Sequence, residues 1–501
     1  MTLETAEGRP ETTQPESDRV WNIETNGINP IPDSERHGSP KELFWIWCAA
    51  NIGILGVTYG AFLVAFYSLN LWQGILAAVI GTVVSFALVG MVSLAGKLGG
   101  APTLVLSRAA FGVNGNALPT VVSYISLVGW EIVLVALSTF AAQTVLERLG
   151  WLEGDLALAL SFVVIAAVTI AVGLLGHATI VRVQTWFTWA FAVLTIVFIV
   201  LAWSEIDMDA VSSLPTGPFV RLIAGTSIVM AGLGIGWVNA AADYSRYLPR
   251  SVSSRGVVGW TVFGASAAPI VLIVFGVLLA ADNPDLATSA NPIGLLAEPL
   301  PTWFLVPYLL VAVGGLVAGA LLDIYSSGLN LLTLGLRVPR YQSVAIDGIL
   351  MVVGAVYILF FNESFFVPFQ GFLITLGVLL ASWAAIFLVD MLRYRLREGY
   401  DEQDLYSARG RYGSWNPAGV GSFLIAAFIG LGLVTSTAWI FSWAGYLLRW
   451  FGWEDTSFAD SSLGLLISFV VAGVLYGVLS QRGARGAAET PTRDGAASVT
   501  P

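Results

Sequence analysis

Long apolar segments separated by short polar stretches run through this chain from about residue 43 to residue 480. A helix needs about 20 predominantly apolar residues to cross the hydrocarbon core of a bilayer. The pattern therefore predicts twelve membrane-spanning helices, numbered here as spans 1 to 12: 43–67, 72–96, 118–145, 157–176, 184–203, 222–242, 257–281, 302–334, 344–361, 366–389, 419–441 and 462–480. Residues 1–40 and 482–501 lack this pattern, and their composition predicts disordered tails.

The overall composition indicates an all-α integral membrane protein. Of the 501 residues, 56% are hydrophobic and only 11% are charged, and the mean hydropathy is +0.78. Soluble globular proteins carry about a quarter charged residues, so a soluble protein is excluded. Cys48 is the only cysteine, and we expect neither an intrachain disulfide nor a metal site. The net charge of −10 gives no indication of a nucleic-acid partner.

The loops between the spans differ strongly in positive charge. If the N-terminus lies in the cytoplasm, 20 of the 23 lysine and arginine residues fall in cytoplasmic loops or tails, and only Arg148, Arg221 and Arg449 fall outside. Cytoplasmic loops of membrane proteins are enriched in lysine and arginine. The distribution therefore predicts a multi-pass protein of the cell membrane with both termini in the cytoplasm.

Span 6 contains a run of glycines within IVMAGLGIGWVNAAADYSRYLP. Gly232, Gly234 and Gly236 are followed by Trp237 and Asn239. Each glycine weakens a helix by about 1 kcal/mol relative to alanine. Irregular backbone persists in the membrane only where protein buries it or where it lines a cavity. The segment predicts a helix broken at a substrate site, with a lipid-facing helix carrying packing glycines as the alternative.

Span 1 carries a comparable stretch, NIGILGVTYG, which includes Thr58. Spans 1 and 6 would each open a unit of five helices, and an odd number of helices inverts the second unit in the membrane. We therefore predict a 5+5 inverted repeat, with 41–203 and 204–390 as the two units and 391–481 holding spans 11 and 12. Chance placement of common glycines is the alternative. Thr58 and Asn239 are the polar candidates for substrate binding near the two breaks.

Two carboxyl groups are predicted to lie near the middle of spans. Glu131 lies within LVGWEIVLVAL in span 3, and Asp323 lies within VAGALLDIYSSGLN in span 8. An ionised side chain at the bilayer centre costs at least about 2.5–3.5 kcal/mol, so such residues usually face the protein interior or a wet pathway. Both are interpreted as proton-coupling or substrate-binding candidates, with a purely structural hydrogen bond as the alternative. Asp347 and Asp390 lie near span ends, where we expect solvent or arginines to reach them.

Trp130 and Trp237 are candidate platforms for a flat ligand. Trp130 precedes Glu131 in the middle of span 3, and Trp237 follows the glycines of span 6. Stacking of aromatic rings adds about 0.5–1.5 kcal/mol beyond the burial of area. Most of the 18 tryptophans are expected at the membrane interfaces instead, which is the alternative for these two.

Four blocks of the chain resemble the nucleobase–cation symporter family, and within it the purine–cytosine permeases. They are ANIGILGVTYGAF in span 1, SRAAFGVNGN after span 2, VGWEIV in span 3 and GWVNAAADYSRYLP in span 6. The last block is the most specific, and the resemblance extends from about residue 40 to residue 480. It implies a leucine-transporter-like fold of ten helices in two inverted repeats plus two further helices, which works by alternating access.

The resemblance also implies a substrate site between spans 1, 3, 6 and 8. In relatives, tryptophans of spans 3 and 6 sandwich the base, and they match Trp130 and Trp237 here. Backbone around the position of Gly236 contacts the polar edge of the heterocycle. Asp323 matches the span-8 position at which purine–cytosine permeases commonly carry asparagine.

The chain departs from the family pattern at several of these positions. Leu134 stands where relatives carry an amide, Glu131 replaces a small residue, and Gly319 and Ala320 lie near two further expected amides. A buried mismatch of donors and acceptors costs about 1–3 kcal/mol, so a ligand with more donors or a positive charge suits this site better than cytosine or adenine. Sodium-coupled relatives use span-8 hydroxyls where this chain has Ala318 and Gly319, which favours protons over sodium.

These features predict a secondary active transporter that imports a nucleobase-like or related nitrogen heterocycle by proton symport. The sequence contains no P-loop, so an ion gradient is the expected energy source. It also contains no recognisable set of catalytic residues, so an enzyme is not expected. Its partners are a small heterocyclic molecule and the lipid bilayer, while the oligomeric state is left open. The alternatives are a sodium-coupled carrier of the same class, an amino-acid or organic-cation carrier on the same fold, and a non-transporting membrane receptor.

Overall fold

The computed structural model describes residues 26–174, 177–283, 286, 291–298, 300–361 and 366–488; the predicted tail residues 1–25 and 489–501 lie outside this set. Each predicted span corresponds to one helix or one interrupted helix. In chain order they are Glu42–Asn51 with Leu55–Ala65, Leu71–Gly99, Ala117–Arg148, Gly154–Gly173, His177–Ala202, Phe219–Gly232 with Gly234–Trp237, Ser254–Ala280, Thr302–Thr333, Arg340–Phe361, Phe366–Asp390, Pro417–Gly432 and Gly464–Ala488. The all-α prediction is confirmed.

The number of spans agrees approximately with the predicted twelve. Within the described residues, nine helices are long and apolar enough to cross a membrane, and the bent pair in span 1 gives a tenth. Spans 11 and 12 contain shorter apolar helices, and span 11 ends at Gly432 instead of residue 441. Two glycines near its end weaken this helix. Span 12 continues to Ala488, so the predicted disorder of residues 482–501 is wrong for 482–488.

Spans 1 and 6 are both interrupted, as predicted. The two helices of span 1 meet at a bend of 54° after Asn51. The Asn51 side-chain amide donates to the carbonyl of Trp47 at 2.8 Å and so satisfies one acceptor at the end of the first helix. Span 6 is interrupted at Leu233, whose φ and ψ of −117° and −105° are not helical.

The backbone groups freed at the span-6 break are satisfied by side chains of other spans. The Tyr59 hydroxyl donates to the carbonyl of Gly232 at 3.0 Å, and the N–H of Gly234 donates to Ser85 Oγ at 3.1 Å. Lipid supplies no such partners, so a break at this depth depends on protein packed around it. The interruption therefore faces spans 1 and 2, and the alternative of a lipid-facing helix is wrong.

Packing between the spans places the two breaks next to each other. Span 8 runs along span 3, and span 7 packs against spans 1 and 2. Spans 10, 11 and 12 pack against one another, and span 10 also contacts spans 3 and 6. Span 8 also contacts the first helix of span 1. Spans 1, 3, 6 and 8 thus surround one central region.

The predicted disorder of residues 1–40 is wrong for residues 26–40, which pack against the side predicted to be cytoplasmic. Ile31 is fully buried there. The Arg36 guanidinium donates to the carbonyls of Ile31 and Lys97 at 3.0 and 2.7 Å. The contact with Lys97 joins residues 61 positions apart in the sequence, so no local periodicity marks it.

The loop between spans 2 and 3 contains two short buried helices, Thr103–Leu106 and Arg108–Phe111. Thr103 donates from its N–H and its hydroxyl to the Asp243 carboxylate, at 2.7 and 2.8 Å. The Thr103 hydroxyl also accepts from the N–H of Ala242 at 2.9 Å. Asp243 is therefore a buried anchor between this loop and the end of span 6.

Substituting Asp243 by alanine is expected to lower the free energy of unfolding by about 3 kcal/mol, because two hydrogen bonds to a charged group are lost at about 1.5–3 kcal/mol each. Thermal unfolding of the purified protein measures the effect. Asp455→Ala, at an exposed position in the loop between spans 11 and 12, is the matched control. Equal melting temperatures for the two variants would show that the anchor contributes nothing.

Candidate functional site

A cavity of about 40 Å³ lies where the two breaks meet. Its wall comes from the span-1 break, from Trp130 and Leu134 of span 3, from Leu233 and Trp237 of span 6, and from the middle of span 8. The cavity is mainly apolar, with side chains of four spans converging on it. This is the region in which the sequence places the substrate.

Both predicted tryptophan platforms line this cavity and are held by other aromatic rings. Trp237 is 8% exposed and meets Trp47 edge to face, with ring centroids 5.7 Å apart. Trp130 is 7% exposed and meets Phe369 edge to face at 5.5 Å. These edge-to-face contacts restrict the rotation of both indole rings.

Gly236 and Leu134 also belong to this region. A Cβ atom at Gly236 would lie 3.0 Å from Nε1 of Trp130, so the bare backbone of the span-6 break sits against that indole. A Cβ atom at Gly319 would lie 3.0 Å from Cδ1 of Leu134. Leu134 of span 3 and Gly319 of span 8 thus face each other here in an apolar contact.

Thr58 and Asn239 lie behind the cavity wall. Thr58 is buried in the second helix of span 1, beside the wall residue Tyr59. The Asn239 amide donates to the Ser123 hydroxyl at 2.7 Å, and Asn330 of span 8 donates to the same oxygen at 2.7 Å. Asn239 is therefore placed to hold spans 3, 6 and 8 together.

Glu131 and Asp323 are fully buried but point away from the cavity. Glu131 Oε1 lies 2.8 Å from Ser327 Oγ of span 8. Neither carboxylate oxygen of Asp323 has a hydrogen-bond partner among the described residues. Asp323 precedes Ser327 by one helical turn, so both side chains lie on the same face of span 8.

Asp347 of span 9 joins this group, contrary to the expectation that solvent or an arginine reaches it. Its side chain is fully buried and its Oδ2 contacts Ser327 Oγ. Span 9 begins at Arg340 instead of at residue 344, which places Asp347 two turns inside the helix. It shares a buried face with Gly348 and Met351, and this helical spacing is the sequence feature that could have revealed it.

The three acids have no cation to balance them in the described part of the chain. Glu131, Asp323 and Asp347 form no ion pair there, whereas Asp390 pairs with Arg395 at 2.9 Å, as its position suggested. No group of three or more potential metal ligands converges among the described residues either. Since an unpaired buried charge is very costly, such carboxyl groups are stable mainly when they carry protons.

Comparison with known sequences places the chain among permeases. Residues 30–451 match the model of a family described as permeases for cytosine/purines, uracil, thiamine and allantoin. The Bacillus subtilis protein YxlA, whose name assigns it provisionally to the purine-cytosine permeases, is 28% identical and aligns over 91% of this chain and 96% of its own length. The purine-cytosine permease FCY21 of Saccharomyces cerevisiae is 26% identical over 51% of this chain and 48% of its own.

Solved structures with the same fold include Mhp1, a nucleobase-cation-symport-1 family transporter. Its closed conformation with bromovinylhydantoin bound matches with a TM-score of 0.69 at 16% identity, covering 92% of this chain and 97% of Mhp1. Its inward-facing conformation gives a TM-score of 0.68, with coverages of 94% and 96%. These matches confirm the predicted leucine-transporter-like arrangement of the helices.

Proposed function

This chain belongs to the family of membrane permeases for cytosine/purines, uracil, thiamine and allantoin, and on that premise we propose that it imports a nucleobase-like or related nitrogen heterocycle by proton symport. Members of this family are secondary active transporters and not enzymes. Our proposal concerns three further points: the class of substrate, the coupling ion and the direction of transport.

The placement of Trp130 and Trp237 on one cavity carries the proposal about the substrate. Each indole is immobilised by a neighbouring ring, and Gly236 brings bare backbone to the same place. Flat rings gain from stacking on an indole, and backbone groups near a break can bind the polar edge of a heterocycle. Aliphatic amino acids and aliphatic amines lack the flat face that this arrangement suits.

Proton coupling is supported by the environment of span 8. Ala318 and Gly319 offer no hydroxyl at the position that sodium-coupled relatives use. The Gln184 side-chain amide donates to the carbonyl of Ala318 at 2.9 Å. This hydrogen bond occupies a carbonyl oxygen that a sodium ion at this position would need as a ligand. The buried acids behind the cavity, Glu131 and Asp323, remain the proton-coupling candidates.

The orientation follows from the distribution of positive charge, which places both termini in the cytoplasm. The described N-terminal residues bind the loops on that same side, where Arg250 pairs with Asp33 and Glu402 at 2.9 and 2.7 Å. Import driven by an inward proton gradient therefore means uptake from the side opposite these contacts.

Purified protein reconstituted in liposomes tests the proposal. Radiolabelled adenine, guanine, hypoxanthine, cytosine, uracil, thiamine and allantoin are offered under an imposed pH gradient and, separately, under a sodium gradient. Accumulation of at least one compound that requires the pH gradient and ignores sodium is the expected result. Accumulation that needs sodium and ignores pH would overturn proton coupling. Binding without accumulation under either gradient would favour a receptor.

Replacing Leu134 by asparagine is expected to change which bases compete for uptake. The new amide would face Gly319 beside the cavity, where it can bind a polar edge of the ligand. One hydrogen bond of about 0.5–1.5 kcal/mol corresponds to an up to roughly tenfold change in half-inhibitory concentration for cytosine or adenine. Leu127→Asn, at a buried position of the same helix, is the control. An unaltered competition profile would remove Leu134 from the determinants of specificity.

A further inference from the structure

One serine hydroxyl joins carboxyl groups from two other spans. Ser327 Oγ of span 8 lies 2.8 Å from Glu131 Oε1 of span 3 and also contacts Asp347 Oδ2 of span 9. All three side chains are fully buried. The three residues, named here the Ser327 bridge, connect three spans behind the wall of the substrate cavity.

The number of hydrogens in the Ser327 bridge is limited. A serine hydroxyl has one hydrogen to donate and two lone pairs, whereas an ionised carboxylate can only accept. Ser327 can therefore satisfy one ionised carboxylate, and its second contact is a hydrogen bond only if the other carboxyl carries a proton and donates it to the serine oxygen. The geometry requires at least one proton on Glu131 or Asp347.

Among the described residues, no cationic side chain around the Ser327 bridge takes the place of this proton. The Tyr124 hydroxyl of span 3 neighbours both acids, and Asp323 adds a third carboxyl one turn away on span 8. The buried face of span 4, which packs on the same helices, is apolar or carries hydroxyls only. Arg340 lies two turns before Asp347 on span 9 and donates to the carbonyl of Gly173 instead.

We propose that Glu131 and Asp347 share one proton through Ser327, and that this bridge is the proton-binding site of the transport cycle. The inference rests on the proposed function of proton symport and adds Asp347 and Ser327 to it. The proton enters from the outside, is held on one of the two carboxyl groups while spans 3, 8 and 9 are together, and leaves to the cytoplasm when they separate.

The position of Glu131 in span 3 links the proton to the ligand. Trp130, its direct neighbour, faces the substrate cavity, while Glu131 faces Ser327. A movement of span 3 relative to spans 8 and 9 therefore changes the wall of the cavity and the Ser327 bridge together. When the bridge breaks and the two acids become exposed to cytoplasmic water, water solvates the carboxylates in place of Ser327 and accepts the proton.

Infrared difference spectroscopy of the purified protein on a pH step tests the shared proton without any ligand. Glu131→Gln and Asp347→Asn are each expected to remove the same component of the protonated-carboxyl stretch, and the double variant is expected to remove no more. Additive losses would overturn sharing, and no loss would overturn protonation of the pair. Asp390→Asn, which replaces a buried carboxylate paired with Arg395, is expected to leave that component unchanged.

Transport assays in the same liposomes test the coupling. Using the radiolabelled base that wild-type protein accumulates most, Asp347→Asn and Ser327→Ala are expected to reduce accumulation under a pH gradient about tenfold and to leave exchange without a gradient within about twofold. Unchanged accumulation by either variant would overturn the role of the bridge in coupling. If wild-type protein ignores the pH gradient while the infrared signature is present, the proposed symport fails and the shared proton stands as a structural feature.

Discussion

Replacing Trp237 by alanine is expected to reduce uptake of the transported base by up to about a hundredfold, while the protein still reaches the membrane. Alanine substitution of an aromatic side chain on which a base stacks costs about 1–3 kcal/mol, and each 1.4 kcal/mol is about a factor of ten in affinity. Trp237 lines the cavity, and its ring is fixed by Trp47. The loss therefore falls on ligand binding and on the shape of the cavity at the same time.

Trp186→Ala separates this effect from a general loss of tryptophan. Trp186 lies on span 5 and is 69% exposed, so its side chain faces outward and its removal is expected to leave uptake unchanged. Trp237→Phe keeps a flat ring and is expected to retain part of the activity. Uptake by Trp237→Ala at the wild-type rate, measured with equal amounts of protein in the membrane, would disprove the stacking role.

The sequence predicted the breaks in spans 1 and 6 but not the atoms that make them possible. Glycine runs and a tryptophan are local features, and they indicated where the helix of span 6 stops. The side chains that satisfy the freed backbone, Tyr59 and Ser85, come from spans 1 and 2. Such partners depend on tertiary packing, and one sequence gives no pattern from which to derive them.

In the candidate site, too, the sequence indicated the local features but not the contacts that depend on tertiary packing. Trp130, Trp237, Gly236 and Leu134 were located by motif and lie together at the cavity. Glu131 and Asp323 were singled out because acids are rare in spans, but the structure places them behind the wall. The apolar pattern predicts the start of span 9 four residues later than the helix begins, and this difference puts the buried Asp347 at the apparent end of a helix.

Spans 1 and 7 cross at a point where their backbones touch. A Cβ atom at Gly60 would lie 2.1 Å from the carbonyl oxygen of Ile273, and one at Gly276 would lie 2.0 Å from the carbonyl oxygen of Val57. The atoms in the way belong to the backbone, so no side-chain rotation relieves the clash. Close backbone approach at small residues is a main source of affinity between helices in membranes.

Gly276→Ala is therefore expected to destabilise the protein by about 3 kcal/mol or more, the upper end of ordinary overpacking. Gly259→Ala in the same helix has nothing within 4 Å of the added atom, and it is expected to stabilise by up to about 1 kcal/mol because alanine favours helix. Melting temperatures and size-exclusion profiles of the detergent-solubilised variants measure the opposite signs. Equal shifts in melting temperature for the two variants would mean that the backbones of spans 1 and 7 lie farther apart than the 2.0 Å distance from a Gly276 Cβ atom to Val57 implies. Because Gly60 lies in the helix after the span-1 break, separating the spans would also move Tyr59 away from Gly232 and weaken the span-6 break at the cavity.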